Sequence, residues 1–266
     1  MVSTRRPPEA GPPGAVAIDT PQLQLARHVV ADTADYQAVG VIHGAAGLGK
    51  TFATRAATAR LPADPDRPRG QRLPICTISF PSRPTMRLVA DLLLQALNAT
   101  TPYRQASTNR FQLTAALVRE LARRPRLIVV DEAQRLSEEC IELLRYLHDH
   151  DDTTFGLLYV GGNGCWKVLS RQPMLRSRVW RRLTFTPIPA AEIPTTIRAY
   201  HPLFHDVDDD LLLQVDTRFA HGIWRNWALF AATAHLLAHR ADRTRLDAEI
   251  VANTFALHGG GPDADA

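Results

Sequence analysis

Gly44-Ala45-Ala46-Gly47-Leu48-Gly49-Lys50-Thr51 has the spacing G-x-x-x-x-G-K-T, that of the phosphate-binding loop. Small residues let the N–H groups of a tight turn converge on a nucleotide's phosphates. The lysine then reaches the β- and γ-phosphates, and the threonine hydroxyl goes to Mg2+. Gly44 to Thr51 and the following Phe52 are therefore candidate ATP-binding residues, with Thr51 also a metal residue. A chance Gly/Ala turn would not need particular flanks, whereas a working loop follows a strand and opens a helix. Val39-Gly40-Val41-Ile42 is short, apolar and β-branched, and Phe52 to Arg60 contains neither Gly nor Pro. The N-terminus of such a helix favours anions. Lys50 and Lys167 are the only lysines of the chain, every other permanently cationic side chain being arginine. Lysine is used here where arginine will not serve.

The second constellation is acidic. Leu127-Ile128-Val129-Val130 is an uninterrupted apolar run, as a strand buried on both faces requires, and it ends in Asp131-Glu132. This is the Walker B arrangement, in which Asp131 holds Mg2+ and Glu132 orients and deprotonates the attacking water. An acidic pair after an apolar run is common alone; beside a phosphate loop it makes the second half of one site. The pair favours hydrolysis over transfer to a metabolite. Asn163, just past the apolar run Phe155 to Val160, can touch the γ-phosphate or the water, or it serves as a turn former after Gly161-Gly162. Arg171, Arg176, Arg178, Arg181 and Arg182 form a dense basic run. One of them can neutralise charge on a neighbouring subunit's nucleotide, or the run is a solvated basic face. Arg225, in Gly222-Ile223-Trp224-Arg225-Asn226-Trp227, opens a helix and can reach back to the phosphates.

These residues need a frame. Apolar runs at Val39–Ile42, Ile75–Phe80, Leu127–Val130, Phe155–Val160 and Leu183–Phe185 alternate with helical stretches, which argues for a parallel sheet with helices on both faces. Helices are expected from Pro21, with Thr20 as the cap, to about Val30, over about 52–60, 82–97 and 111–124, and from Ser137 onward, with Ser137 as the cap. Beyond Pro187 the strand signals stop, and 190–200, 208–218, 223–240 and 243–257 read as helices. The expected organisation is a disordered tail (1–17), an α/β core (18–187), a small helical lid (188–258) and a disordered tail (259–266).

At 266 residues, 45% hydrophobic and 22% charged, the composition is that of an ordinary globular chain. No apolar run approaches the ~18 residues of a membrane span, and the Arg pair near the N-terminus has no apolar stretch behind it, so a cytoplasmic protein is expected. The three cysteines, Cys76, Cys140 and Cys165, read as buried small hydrophobes. His148/His150 and His201/His205 read as surface or cap residues, not metal ligands. A net charge of +4 is compatible with nucleic acid and weak alone.

In order, GAAGLGKT, LIVVDEAQ, Asn163, the arginine run and Gly222–Arg225 resemble the AAA+ ATPases over roughly residues 18–257. By that resemblance the fold is a P-loop AAA+ core with a parallel five-stranded sheet flanked by helices, followed by a small all-α lid. Asn163 matches the sensor-1 position, Arg178 or Arg176 the arginine finger, and Arg225 the sensor-2 arginine. The stretch RRPRLIVVDEAQRLSEECIELLRYLHD, with LLYVGGN and PMLRSRVWRRLTFTPI, resembles the DNA-transposition regulators of the MuB, TniB and TnsC type. MuB carries an additional N-terminal DNA-binding domain, so the TniB/TnsC arrangement fits better. The resemblance implies ATP and Mg2+ as ligands and a homo-oligomeric ring or helical filament on double-stranded DNA. It also implies a transposase partner. Arg83, Arg87, Arg104 and Arg110, in loops after the second strand, are the candidate phosphate contacts. An ExeA-like ATPase, or an initiator- or defence-type nucleotide switch acting through protein contacts, is the alternative. The DEAQ wording also occurs in superfamily 2 helicases, whose two ATPase domains exceed this length.

Overall fold

The computed structural model describes residues 11–61, 73–80, 82–97 and 110–259, with only the backbone of Arg110. The chain divides into two compact units, one of residues 21–46 and 53–185, the other of residues 47–52 and 186–259 with the stretch before Pro21.

The first unit is built on one sheet. Strands β1 (Val39–Gly44), β2 (Ile75–Ile78), β3 (Arg126–Val130), β4 (Phe155–Gly161) and β5 (Val179–Phe185) lie in the order β2-β3-β4-β1-β5. Every neighbouring pair is parallel. β3 and β4 are buried along their whole length, which is why their sequences run apolar without alternation. β5 is an edge strand and mostly uncovered. It begins at Val179, four residues before the expected start, because an edge strand tolerates Trp180, Arg181 and Arg182 where an inner strand would not.

Helices complete this layer. α1 (Pro21–Asp35) buries Leu23, Ala26, Val29 and Val30. Its close approach depends on glycines in the strands: a Cβ at Gly40 would stand 2.2 Å from Thr33 Oγ1, and one at Gly156 would stand 2.2 Å from the Thr33 carbonyl oxygen. α3 (Met86–Leu97), α4 (Arg110–Ala122) and α5 (Glu138–Asp149) share a core with the strands through Leu93, Leu117 and Leu144. α3 starts at Met86, not at Ser82, because Pro84 disfavours helix in the residue before it and Thr85 supplies the cap, its Oγ1 accepting from Leu88 N–H at 3.2 Å. Ser137 caps α5 as its position implied, accepting from Cys140 N–H. α6 (Cys165–Leu169) and α7 (Pro173–Arg176) are short. All three cysteines are buried, and none is in a disulfide.

The second unit is helical: α8 (Ile193–Tyr200), α9 (Asp209–Val215), α10 (Trp224–Arg240) and α11 (Ala248–Leu257). Its core gathers Phe204, Phe219, Trp227, Phe230 and Phe255. Buried Asp216 is satisfied by two donors, the Gly222 N–H at 2.7 Å and the Trp227 indole N–H at 3.0 Å. That pairing fixes the turn into α10, where Gly222 has φ 69°. Residues 11–17, expected within a disordered tail, differ from that reading. Val16 N–H donates to the Tyr200 carbonyl at 2.9 Å, and His201 Nε2 bonds the Pro13 carbonyl at 2.9 Å. His201 is thus buried as well as capping, since its Nδ1 accepts from Leu203 N–H. No helix among the described residues is long and apolar enough to cross a membrane.

Candidate functional site

β1 delivers the chain into the loop Ala45–Gly49, and α2 (Lys50–Arg60) follows it. The helix opens two residues before the expected Phe52, because the last left-handed residue of the loop is Gly49, φ 88°. Gly44 and Gly47 also hold positive φ, 148° and 79°, conformations that side-chain-bearing residues adopt at a cost. Leu48 is buried and pins the loop, Lys50 is only 8% exposed, and Thr51 faces outward. Gly47 is constrained twice. Its carbonyl accepts the Arg225 N–H at 3.0 Å, and a Cβ there would stand 2.7 Å from Ile223 Cγ2 and 3.0 Å from Arg225 Cβ. Arg225, with its side chain exposed, is therefore brought to the loop by its backbone.

The acidic pair follows β3. Asp131 N–H continues the ladder to the Ile78 carbonyl at 2.9 Å, and Asp131 Oδ1 accepts the Glu132 N–H at 2.9 Å. Glu132 is left-handed, φ 59° and ψ 35°. For a residue with a Cβ that costs about 1–2 kcal/mol, so the surroundings must hold it. Its Oε2 accepts from Gln134 Nε2 at 2.6 Å and pairs with Arg135 Nε at 3.2 Å. Arg135 also donates to the Phe80 carbonyl at the exit of β2, at 3.0 Å. The Gln134 amide oxygen accepts the Gly162 N–H at 2.7 Å. Gln134 and Arg135 were missed in the sequence, where nothing but their nearness to Glu132 distinguishes them.

Asn163 is exposed and lies between Gly162 and Gly164, the residue that precedes α6. The arginine run resolves into distinct roles. Arg178 is engaged within its own unit, Nε to Asp149 Oδ1 at 2.6 Å and a terminal nitrogen to the Met174 carbonyl at 2.7 Å. Arg181 pairs with Asp32 at 2.8 Å and lies 4.2 Å over the Trp180 ring, while Arg182 lies 4.5 Å over Trp166. Arg171 and Arg176 are exposed. Arg83 is exposed, and Arg87 pairs with Asp91 at 3.5 Å. Arg104 and the side chain of Arg110 lie outside the described residues.

The carboxyl ends of β1, β3 and β4 stand side by side in the sheet. Ala45, Asp131-Glu132 and Gly162-Asn163 therefore leave one edge, the position where open parallel sheets bind ligands. The loop suits phosphates: Gly44, Gly47 and Gly49 all hold positive φ, the backbone from which turns present N–H groups to an anion. A carboxylate at a strand end and a hydroxyl are hard oxygen donors of the kind Mg2+ takes.

A family model described as AAA domain matches residues 33–169, just over half of the chain. That span includes the loop, the acidic pair and Asn163 and stops short of Arg176 and Arg225. Among solved structures, Cdc6p from Pyrobaculum aerophilum is 17% identical with a TM-score of 0.71, over 92% of this chain and 69% of that one. The Aeropyrum pernix ORC1 protein, solved in complex with DNA, is 20% identical with a TM-score of 0.63, over 92% and 66%. The Thermotoga maritima RuvB Holliday junction branch migration motor is 18% identical with a TM-score of 0.59, over 90% and 70%. At these identities the likeness is one of fold. No curated protein matches the sequence.

Proposed function

Because the chain belongs to the AAA domain family, we propose that it is an ATPase that assembles as a ring or helical filament on double-stranded DNA and recruits or activates a transposase. What carries the reading is the shared sheet edge, where the phosphate loop, Asp131-Glu132 and Asn163 leave neighbouring parallel strands. Gly44 to Phe52 bind ATP, with Lys50 on the β- and γ-phosphates. Thr51 and Asp131 would hold Mg2+, which would neutralise phosphate charge there. Glu132 takes the proton of the attacking water, Asn163 orients that water or the γ-phosphate, and Arg225 adds positive charge at the phosphates. Arg176 or Arg178 completes a neighbouring subunit's nucleotide.

DNA contact is assigned to Arg83, Arg87, Arg104 and Arg110, acting on phosphates without reading sequence. One neighbour of like fold was solved in complex with DNA and another is a Holliday junction branch migration motor, which supports testing duplexes first. The transposase partner rests on the MuB/TniB/TnsC-like wording around Asp131 to Leu147. A second reading, an initiator-type nucleotide switch acting through protein contacts, is favoured by the likeness to Cdc6p, which extends through the helical unit at 92% coverage of this chain.

ATP turnover with and without duplex DNA, combined with images of the ATP-bound protein, separates the two. DNA-stimulated turnover with rings or filaments on the duplex supports the first reading. DNA-indifferent turnover by a monomer rejects it. Lys50→Ala should abolish nucleotide binding, and Glu132→Gln should keep ATP bound while trapping the assembled state.

A further inference from the structure

Glu132 is a left-handed residue at a strand exit, and its carboxylate is held from two sides. Oε2 accepts from Gln134 Nε2 at 2.6 Å and pairs with Arg135 Nε at 3.2 Å. The Gln134 amide is itself fixed at its other end, its oxygen accepting the Gly162 N–H at 2.7 Å. That second bond determines the orientation of the amide. A backbone N–H requires the oxygen of Gln134, so the NH2 group must face Glu132. An ionised carboxylate at 134 lacks the donor and an apolar side chain lacks both groups, so neither could do both jobs.

The glycines at the end of β4 make room for this amide. A Cβ at Gly161 would stand 2.7 Å from Gln134 Oε1. A Cβ at Gly162 would stand 3.3 Å from Gln134 Nε2, and its three nearest atoms would all belong to Gln134. The side chain is therefore packed against the turn that presents Asn163.

We propose that Gln134 is a positioning residue that latches the Glu132 carboxylate to the carboxyl end of β4, so that the Gly162-Asn163 turn sets where that carboxylate points. The inference rests on the reading of Glu132 as the base. A general base works only within hydrogen-bond reach of the proton it takes, and a displacement of about 1 Å can cost about 100-fold. Arg135 alone does not supply this control, because it ties Glu132 to the Phe80 carbonyl at the end of β2. Gln134 makes the link to the strand that carries Asn163. A change at Asn163 on meeting the γ-phosphate is passed through Gly162 N–H and the Gln134 amide to the carboxylate.

The test uses the full chain and three readouts: ATP turnover, affinity for a non-hydrolysable ATP analogue, and melting temperature. Gln134→Ala should lower kcat roughly 10- to 100-fold while leaving analogue affinity within about twofold. Gly162→Ala should lower kcat in the wild-type background and add nothing in the Gln134→Ala background, because the three atoms nearest the added methyl all belong to Gln134. Gln134→Glu removes the donor that faces Glu132, so it should lower kcat at least as far as Gln134→Ala does. If Gln134→Ala does not fold, Gln134→Met keeps the volume and takes its place. Wild-type turnover in Gln134→Ala or Gln134→Met with an inactive Glu132→Gln overturns the latch and leaves the base assignment intact. Additive effects of Gly162→Ala and Gln134→Ala, or wild-type turnover in Gln134→Glu, also overturn it. Normal turnover in Glu132→Gln overturns the base assignment itself.

Discussion

The backbone N–H of Arg225 donates to the carbonyl of Gly47 across 3.0 Å, so the first turn of α10 is capped by the phosphate loop. The first N–H groups of any helix lack partners within it, and α10 begins one residue earlier, at Trp224. Gly47 answers that need while holding φ 79°. Gly47→Ala should therefore suffer both a conformational penalty, about 1–2 kcal/mol, and a clash with Ile223. Gly164 is the matched control: φ 82°, with nothing within 4 Å of an added Cβ. Gly47→Ala should lower the melting temperature more than Gly164→Ala does and weaken ATP binding about tenfold or more. Equal losses in the two variants would show that the contact with α10 is incidental.

An arginine proposed to reach a neighbour's nucleotide must be available to leave its own subunit. Arg178 is tied to Asp149 and the Met174 carbonyl, whereas Arg176 is exposed at the end of α7. Arg176→Ala should abolish turnover with little effect on the melting temperature. Arg178→Ala should lower the melting temperature and reduce turnover less. Mixing Arg176→Ala with Lys50→Ala subunits should restore part of the turnover, since each supplies what the other lacks. Restoration by Arg178→Ala mixtures and not by Arg176→Ala mixtures would reverse the assignment.

Where a motif is carried by backbone requirements, the sequence disclosed it. The glycines at 44, 47 and 49 and the apolar run before Asp131 predicted a loop and a buried strand because few other residues satisfy those positions. The sheet was legible wherever a strand is covered on both faces. β5 was half hidden because an edge strand carries Trp180, Arg181 and Arg182 without an apolar signal. Long-range partners were not legible at all. Nothing in the chain order pairs Arg178 with Asp149, Gln134 with Gly162, or Pro13 with His201, since these depend on tertiary approach.

DNA affinity assigned to phosphate contacts should fall with salt in proportion to the contacts made. Each neutralised phosphate contributes about −0.9 to the slope of log K against log salt. Arg87 already pairs with Asp91 at 3.5 Å, an exposed ion pair worth little, so it can exchange that partner for a phosphate. Arg83→Ala and Arg87→Ala should each flatten the slope by about one unit per subunit and weaken binding equally across sequences. A salt-independent affinity in filter-binding or anisotropy titrations would remove DNA from the proposed function.

Acid should destabilise the helical unit through His201. Its Nδ1 accepts from Leu203 N–H at 3.1 Å, so Nε2 carries the proton that goes to the Pro13 carbonyl at 2.9 Å. A second proton would have to enter at Nδ1 and break the first bond. Burial lowers the pKa of this buried imidazole, with the Pro13 carbonyl opposing and His235 and His205 adding to the decrease. The unfolded chain, titrating near the ordinary value of about 6.5, therefore binds more protons than the folded one as the pH falls. Stability is complete above that value and is lost as the pH drops through the depressed one. His148 acts in the same direction, lowered chiefly by its burial. Ordinary carboxylates lose charge only near pH 4, so the window between about 6.5 and 5 belongs to the histidines. The melting temperature should be level from about pH 8 to 7 and fall between about 6.5 and 5, and His201→Gln should flatten that fall. A slope unchanged in His201→Gln would assign the acid sensitivity elsewhere, with His148→Gln the next variant to measure.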